Sequence, residues 1–308
     1  MLTAQQLDHF GTFGFVVLPG MLGAQRTAAL RAEVGAALQD AYAATYDERV
    51  TDGISGHYLP MTSRLTPVSA GLVCDDPILI DAAEALLGGP ALPALPEGVL
   101  YFGDAFWHND DGIGVAGVKF ATYFDRLYAT NGALRFVPCS QHPEARVLAS
   151  AYQRTPYDDW PGVIAASAPG DVLAFDLHTF HASFGGRDRL AWTIEYLADR
   201  PGEAARARVL RWMEDGLEQG SRGFDRDRYP AWRDWAAAAP SVARTWKLSW
   251  VMMAAGAPPR RAASGSPWAS SSNVLSGRSL PEWRCRAIRG HRGFAMDGVM
   301  ICDGAVIA

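Results

Sequence analysis

His108 and Asp110 stand two residues apart in "FWHNDDGIG", residues 106 to 114, an apolar and glycine-rich neighbourhood. Alternate side chains of a strand share one face, so a single intervening residue sets an imidazole beside a carboxylate. Such a pair is two thirds of a metal site. A third donor stands further on, in "PGDVLAFDLHTFHASFGGRDRLAWTIEYL", where one apolar strand ends in His178 and His181 and a second opens with arginine. Two imidazoles and one carboxylate on a β scaffold match the facial triad by which non-haem Fe(II) is held, with three metal positions left open. The three-residue offset between His178 and His181 turns them to opposite faces of a regular strand, so one of the two completes the set.

The elements that must position these residues change character along the chain. Residues 4 to 40 read as a short helix, an apolar "GFVVLPG" strand, and an amphipathic helix from about 24 to 38 with Leu30, Val34 and Leu38 on one stripe. "DPILIDAAEALLGG" reads as a helix with Asp75 or Asp76 near its start and glycines at its end. From about 98 to 198 come short β-type runs, "GVLYFG", "VKFATYFD", "ALRFVP", "GVIAASAPGDVLAFD" and "RLAWTIEYL", parted by Gly, Pro, Asn and Asp turns. This predicts an antiparallel β core. Residues 202 to 255 return to helix-like sequence, and after 257 the Pro, Ser, Gly and Arg content predicts a loosely ordered tail. The expected division is a catalytic domain over 1–256 and a tail over 257–308.

Bulk properties narrow the partners. The chain has 308 residues, 49% of them hydrophobic, which fill a sizeable core. A formal net charge of −5 offers no footprint for nucleic acid or an anionic membrane and leaves a small molecule as the expected partner. No basic start with an apolar core follows Met1 and no stretch approaches a membrane span, so a cytoplasmic protein is expected. Four cysteines without a C-x-x-C pair encode neither a zinc knuckle nor a dense disulfide framework.

Four stretches together give a more specific reading: "FGFVVLPGML", "WHNDDG", "NGALRFVPCSQH" and "GDVLAFDLHTFHASFGGRDRLAW". Over roughly residues 3 to 200 the chain resembles the phytanoyl-CoA dioxygenase-like branch of the Fe(II)/2-oxoglutarate-dependent oxygenases. The resemblance implies a double-stranded β-helix, or jelly roll, with flanking helices. It also implies Fe(II), 2-oxoglutarate as co-substrate and O2, with release of succinate and CO2 and, usually, hydroxylation of the substrate. In the family the last metal ligand stands ten residues after the Asp of a G-D pair and precedes a small residue and a serine. His181 fits both marks, following Asp171 by ten and preceding Ala182 and Ser183, whereas His178 fits neither. The implied ligands are therefore His108, Asp110 and His181. Cys139 departs from the glycine that the family commonly carries in its turn, and the loop after His181 is shorter than usual. An aspartate at position 110 disfavours halogenation, because related halogenases leave that position to Ala or Gly.

The distal carboxylate of 2-oxoglutarate needs a fixed cation, which a guanidinium supplies through paired N–H···O bonds. Arg189 opens a strand and is expected to point inward, whereas Arg187 lies in a Gly-Gly-Arg-Asp turn facing water. Ser183 is the expected hydrogen-bond partner. Lys119 is a second inward cation or, alternatively, a snorkelling strand lysine paired with an acid such as Asp125. His57 and Arg64, in the irregular stretch before the β core, and Asp111, next to Asp110, are the substrate-facing expectations. A cupin-type isomerase or hydrolase that does not use 2-oxoglutarate is the alternative function, and it has no need of Arg189.

Overall fold

A computed structural model describes residues 1–42, 56–110, 114–146, 162–199, 224–225, 227–229, 300–302 and 305–307. The chain forms two units, Met1–Lys247 and Leu248–Ala308. In the first, helix α1 (Ala4–Phe13) starts at a capping box: the Thr3 hydroxyl accepts from the Gln6 N–H and the Gln6 side chain accepts from the Thr3 N–H. Strand β1 (Phe15–Leu18), helix α2 (Gly23–Tyr42), strand β2 (Gly56–Pro60) and helices α3 (Pro67–Cys74) and α4 (Pro77–Leu87) follow. Asp76 rather than Asp75 caps α4, its side chain accepting from the Ile78 N–H, and Gly88 ends the helix at φ 66°.

The β core consists of β3 (Ala91–Tyr101), β4 (Ala105–His108), β5 (Gly117–Tyr123), β6 (Leu134–Phe136), β7 (Val163–Ala165), β8 (Val172–Asp176), β9 (His181–Ser183) and β10 (Arg189–Ala198). One sheet runs β1-β8-β5-β10-β3-β2 and the other β4-β9-β6-β7, with antiparallel pairing throughout. This interleaved order is that of a double-stranded β-helix, as expected. β3 begins seven residues earlier than the sequence suggests. Pro93 and Pro96 are disfavoured inside a paired strand, but β3 absorbs them with a register shift opposite Thr193 to Glu195, where Leu95 has φ 47°.

Strand alternation gives the large sheet two uses. Trp192, Ile194 and Tyr196 of β10 are fully buried on its outer face, where the Trp192 indole N–H donates to Ser69 Oγ of α3 at 2.8 Å. Gly98 of β3 faces the same side, its missing side chain leaving room for Val34 of α2 and Met61. The inner face, by the same alternation, carries Ala191, Tyr123, Ala121, Leu173, Phe175 and Phe15, packed against Leu134 and Phe136 of the smaller sheet. His181 meets this inner layer at Phe175, the ring centroids 4.7 Å apart.

In the second unit the described residues are β11 (Met300–Cys302) and β12 (Ala305–Ile307), an antiparallel pair. The rest of the tail after 257, and nearly all of the helix-like stretch from 202 to 255, lie outside the described residues. Among the described residues no helix is long and apolar enough to cross a membrane.

Candidate active site

His108 ends β4 and His181 begins β9, and the two are direct register partners across the strand pair. Their ring centroids are 4.3 Å apart. Asp110, just past β4, is fixed by its N–H, which donates to the Leu177 carbonyl at 2.9 Å. Its Oδ1 lies 3.6 Å from His108 Nε2 and its Oδ2 3.7 Å from His181 Nε2. One donor atom from each of the three falls within 4.8 Å of the others.

The rings are held in one tautomer. His108 Nδ1 lies 2.5 Å from the Phe106 carbonyl and His181 Nδ1 2.9 Å from the Thr179 carbonyl, so each Nδ1–H donates to the backbone. Each Nε2 is left with a lone pair directed at Asp110, the arrangement by which imidazoles present themselves to a metal. Burial, then the nearby His108, pushes the His181 pKa down to about 4 and keeps the ring neutral. Burial opposes ionisation of Asp110, yet Lys119, followed by His181 and His108, outweighs it and holds the carboxyl below the usual carboxylate range. Two imidazoles that present Nε2 and a carboxylate are the donor set that a divalent metal requires.

Arg189, 4% exposed, points inward from the first residue of β10. Its guanidinium donates to Gly132 O (3.1 Å), to Ser183 Oγ and to Gly103 O (2.5 Å), and lies over the Tyr101 ring at 5.0 Å. Its Nε–H is buried without a hydrogen-bond partner among the described residues. A buried cation with an unsatisfied donor fits a ligand carboxylate. Arg187 is exposed in the turn, as its sequence context implies. Gly132 and Gly186 make room for Arg189: a Cβ at either would stand 2.5–2.6 Å from Arg189 Cδ. The Asn131 side chain supports that turn, accepting from the Tyr128 N–H and donating to the Arg126 carbonyl.

Lys119 takes the inward course. Its Nζ bridges Asp110 Oδ2 at 3.1 Å and Glu195 Oε1 at 3.2 Å, while Asp125 pairs with Arg31 instead. The site is continuous from the histidines through Lys119 to Glu195, a residue that sequence reasoning passed over. Its signal was parity: Arg189, Ala191, Thr193 and Glu195 alternate along one face of β10.

Other expectations fall elsewhere. The His178 ring lies 2.8 Å from Asp176 Oδ1, in a turn that the same oxygen closes by accepting the His178 N–H, and it stands apart from the donor cluster. The His57 ring stacks edge-on against Tyr42 of α2 (4.0 Å) and Phe102 (4.6 Å), on the face of β2 opposite Tyr58. Arg64 is exposed in the turn before α3. His57 is not part of the donor cluster, and Asp111 lies outside the described residues. Trp107 turns away from His108 and packs with Phe180 and Ala182 on the far side of the small sheet. Ser140 Oγ accepts the Phe180 N–H at 2.8 Å and so fixes the approach to His181. Cys139 has φ 64°, the left-handed conformation that explains a glycine preference at this turn.

The family model for phytanoyl-CoA dioxygenase matches residues 10–189. Among solved structures, SnoN, a non-heme alpha-ketoglutarate-dependent epimerase from nogalamycin biosynthesis, is 20% identical, with 72% of this chain and 90% of that one covered and a TM-score of 0.54. HygX from Streptomyces hygroscopicus, solved with nickel and 2-oxoglutarate bound, is 19% identical over 67% of this chain and 94% of its own, with a TM-score of 0.51. AviO1 from Streptomyces viridochromogenes Tue57 is 22% identical over 66% and 99%, with a TM-score of 0.52. At these identities the likeness is one of fold. No curated protein matches the sequence.

Proposed function

We propose a small-molecule hydroxylase, on this premise: the chain belongs to the phytanoyl-CoA dioxygenase family and is an Fe(II)/2-oxoglutarate-dependent oxygenase. The observation that carries the reading is the convergence of His108, Asp110 and His181 within 4.8 Å on the inner side of the fold that also buries Arg189. When bound, ferrous iron and 2-oxoglutarate supply the oxidising chemistry, which consumes O2, releases succinate and CO2 and places one oxygen atom on a substrate C–H position.

The chain's own contribution is orientation and exclusion. His108 and His181 present Nε2 because backbone carbonyls hold their Nδ1–H groups, and Asp110 presents a carboxylate that Lys119 keeps ionised. Arg189 is assigned the distal carboxylate of 2-oxoglutarate, with its free Nε–H as a donor, and Ser183 holds the guanidinium in place. Lys119 is assigned a supporting role toward the same dianion. Phe175 and Phe136, 4.7 and 6.1 Å from the His181 ring, wall that side of the site with apolar surface and keep water from it. A cupin-type isomerase or hydrolase would have no use for a buried arginine with a spare donor. Mild acidity supports a small-molecule partner over nucleic acid or an anionic membrane, and a cytoplasmic setting is part of the same proposal.

Anaerobic titration of Fe(II) and 2-oxoglutarate into the metal-free protein tests the reading. A weak visible charge-transfer band that needs both components is expected, as is 2-oxoglutarate consumption matched by succinate once O2 is admitted. Metal binding with neither band nor succinate would reject the oxygenase reading.

A further inference from the structure

Beyond the metal cluster, the interior holds two glutamates that no step above uses. Glu195 is 4% exposed; one of its oxygens meets Lys119 at 3.2 Å, and the other, Oε2, is buried without a hydrogen-bond partner among the described residues. Glu97 sits on the neighbouring strand, register partner of Thr193, two residues from Glu195 along β10. Because Gly98 faces the helices, Glu97 faces the interior. The register shift at Leu95 and Pro96 lies beside it, the kind of irregularity that re-aims side chains next to active sites. A carboxylate oxygen stripped of water and left unpaired costs free energy unless a ligand supplies the missing donor.

Charge indicates which donor. A divalent metal with Asp110 and a dianionic co-substrate leaves one negative charge, and Arg189 and Lys119 turn that into one positive. Glu195 and Glu97, once a cation meets them and draws both into the ionised form, carry the interior to a net negative charge of one, which a singly cationic ligand neutralises. We propose that Glu195 and Glu97 form the recognition end of the substrate pocket and that the substrate carries a cationic nitrogen, an amine or guanidinium, bound there. Lys119, spanning Asp110 and Glu195, sets this end one ammonium away from the metal ligands, so the cation sits close to the carbon that is oxidised. The same two carboxylates disfavour anionic substrates by charge repulsion.

This inference rests on the oxygenase reading, and its test separates the two. Protein loaded anaerobically with Fe(II) and 2-oxoglutarate is checked first for the charge-transfer band, whose absence counts against the oxygenase reading alone. The loaded protein is then titrated, with ligand-observed NMR, against matched pairs: putrescine and diacetylputrescine, glucosamine and N-acetylglucosamine, phenethylamine and its N-acetyl derivative, with agmatine added. At least one free amine or guanidine is expected to bind, and its acetylated counterpart to bind at least about tenfold more weakly. That preference should collapse toward unity in Glu195→Gln and in Glu97→Gln, whereas a merely structural role would weaken both members of a pair alike. Equal binding within the pairs, a preference unchanged in both variants, or no binding by any cationic probe in a protein that shows the band would overturn the proposal.

Discussion

A Cβ placed on Gly132 would stand 2.5 Å from Cδ of Arg189 and 2.7 Å from its Nε. The asparagine-glycine turn ahead of β6 is therefore the socket of Arg189, the proposed 2-oxoglutarate anchor, and Gly132 additionally has φ 93°, which an L side chain rarely adopts. Gly132→Ala should displace the guanidinium and raise the 2-oxoglutarate concentration needed for turnover by roughly tenfold or more, since small displacements at a positioning group are amplified in rate. Fe(II) affinity should change little. Titrating the visible band with each component in turn measures the two effects separately.

Replacing the anchor itself is the sharper version. Arg189→Met keeps length but removes the charge, and loss of a buried bidentate pair costs about 2–4 kcal/mol, tens to hundreds of fold in 2-oxoglutarate affinity. It also removes the donor to Gly103 O and Ser183 Oγ and one of the two donors to Gly132 O, which keeps the Ser183 hydroxyl, so the melting temperature should fall as well. Arg187→Met, exposed in the turn, should do neither. The reverse pattern in a 2-oxoglutarate titration would move the anchor to the turn.

The two histidines of "DLHTFHAS" separate cleanly. His181→Ala removes one of three donors and should abolish the charge-transfer band, with metal affinity falling by at least about tenfold. His178→Ala breaks the contact with Asp176 and should leave band and affinity in place. Equilibrium dialysis of Fe(II) or Co(II) against both variants decides the assignment.

Much of this site was legible because its chemistry forces spacing. A single residue between His108 and Asp110, and Arg189 at the head of a strand, survive folding unchanged, since strand alternation is local. The fold class was legible from the short, turn-bounded β runs. What was not legible depended on partners distant in sequence. His57 was assigned to the pocket from its place in an irregular stretch, but pairing with β3 turns it toward Tyr42. Lys119 showed its inward course only when Asp110 and Glu195 came within reach from two other segments. Glu97 was hidden because Pro93 and Pro96 ahead of it are disfavoured in a paired strand, and the register shift that lets β3 absorb them is a property of the pair, not of either strand.

The last expectation concerns pH and the metal-free protein. Burial pushes Glu195 up to about 8 and Glu97 up to about 7, above the ordinary value of 4.5 that each takes on unfolding. An acid whose folded pKa is raised contributes stability that is complete below its unfolded pKa and is lost as pH rises through the folded one. The buried histidines act in the opposite sense: burial lowers His9, His57 and His181, so folding gains stability from them only as pH climbs toward 6.5. Asp110, held low, and Lys119, held high, stay charged on both sides of neutrality and add no slope there. Among the described residues, the window in which Glu195 and Glu97 weigh most is therefore pH 6.5 to 8. Across it the melting temperature in the presence of chelator should fall, and Glu195→Gln should flatten the fall because Gln does not ionise. A bound organic cation should flatten it too, by making the ionised carboxylates favourable. A wild-type melting temperature that rises across the window, or a slope that Glu195→Gln leaves untouched, would show that the Lys119 ammonium outweighs burial and keeps Glu195 ionised in the folded protein.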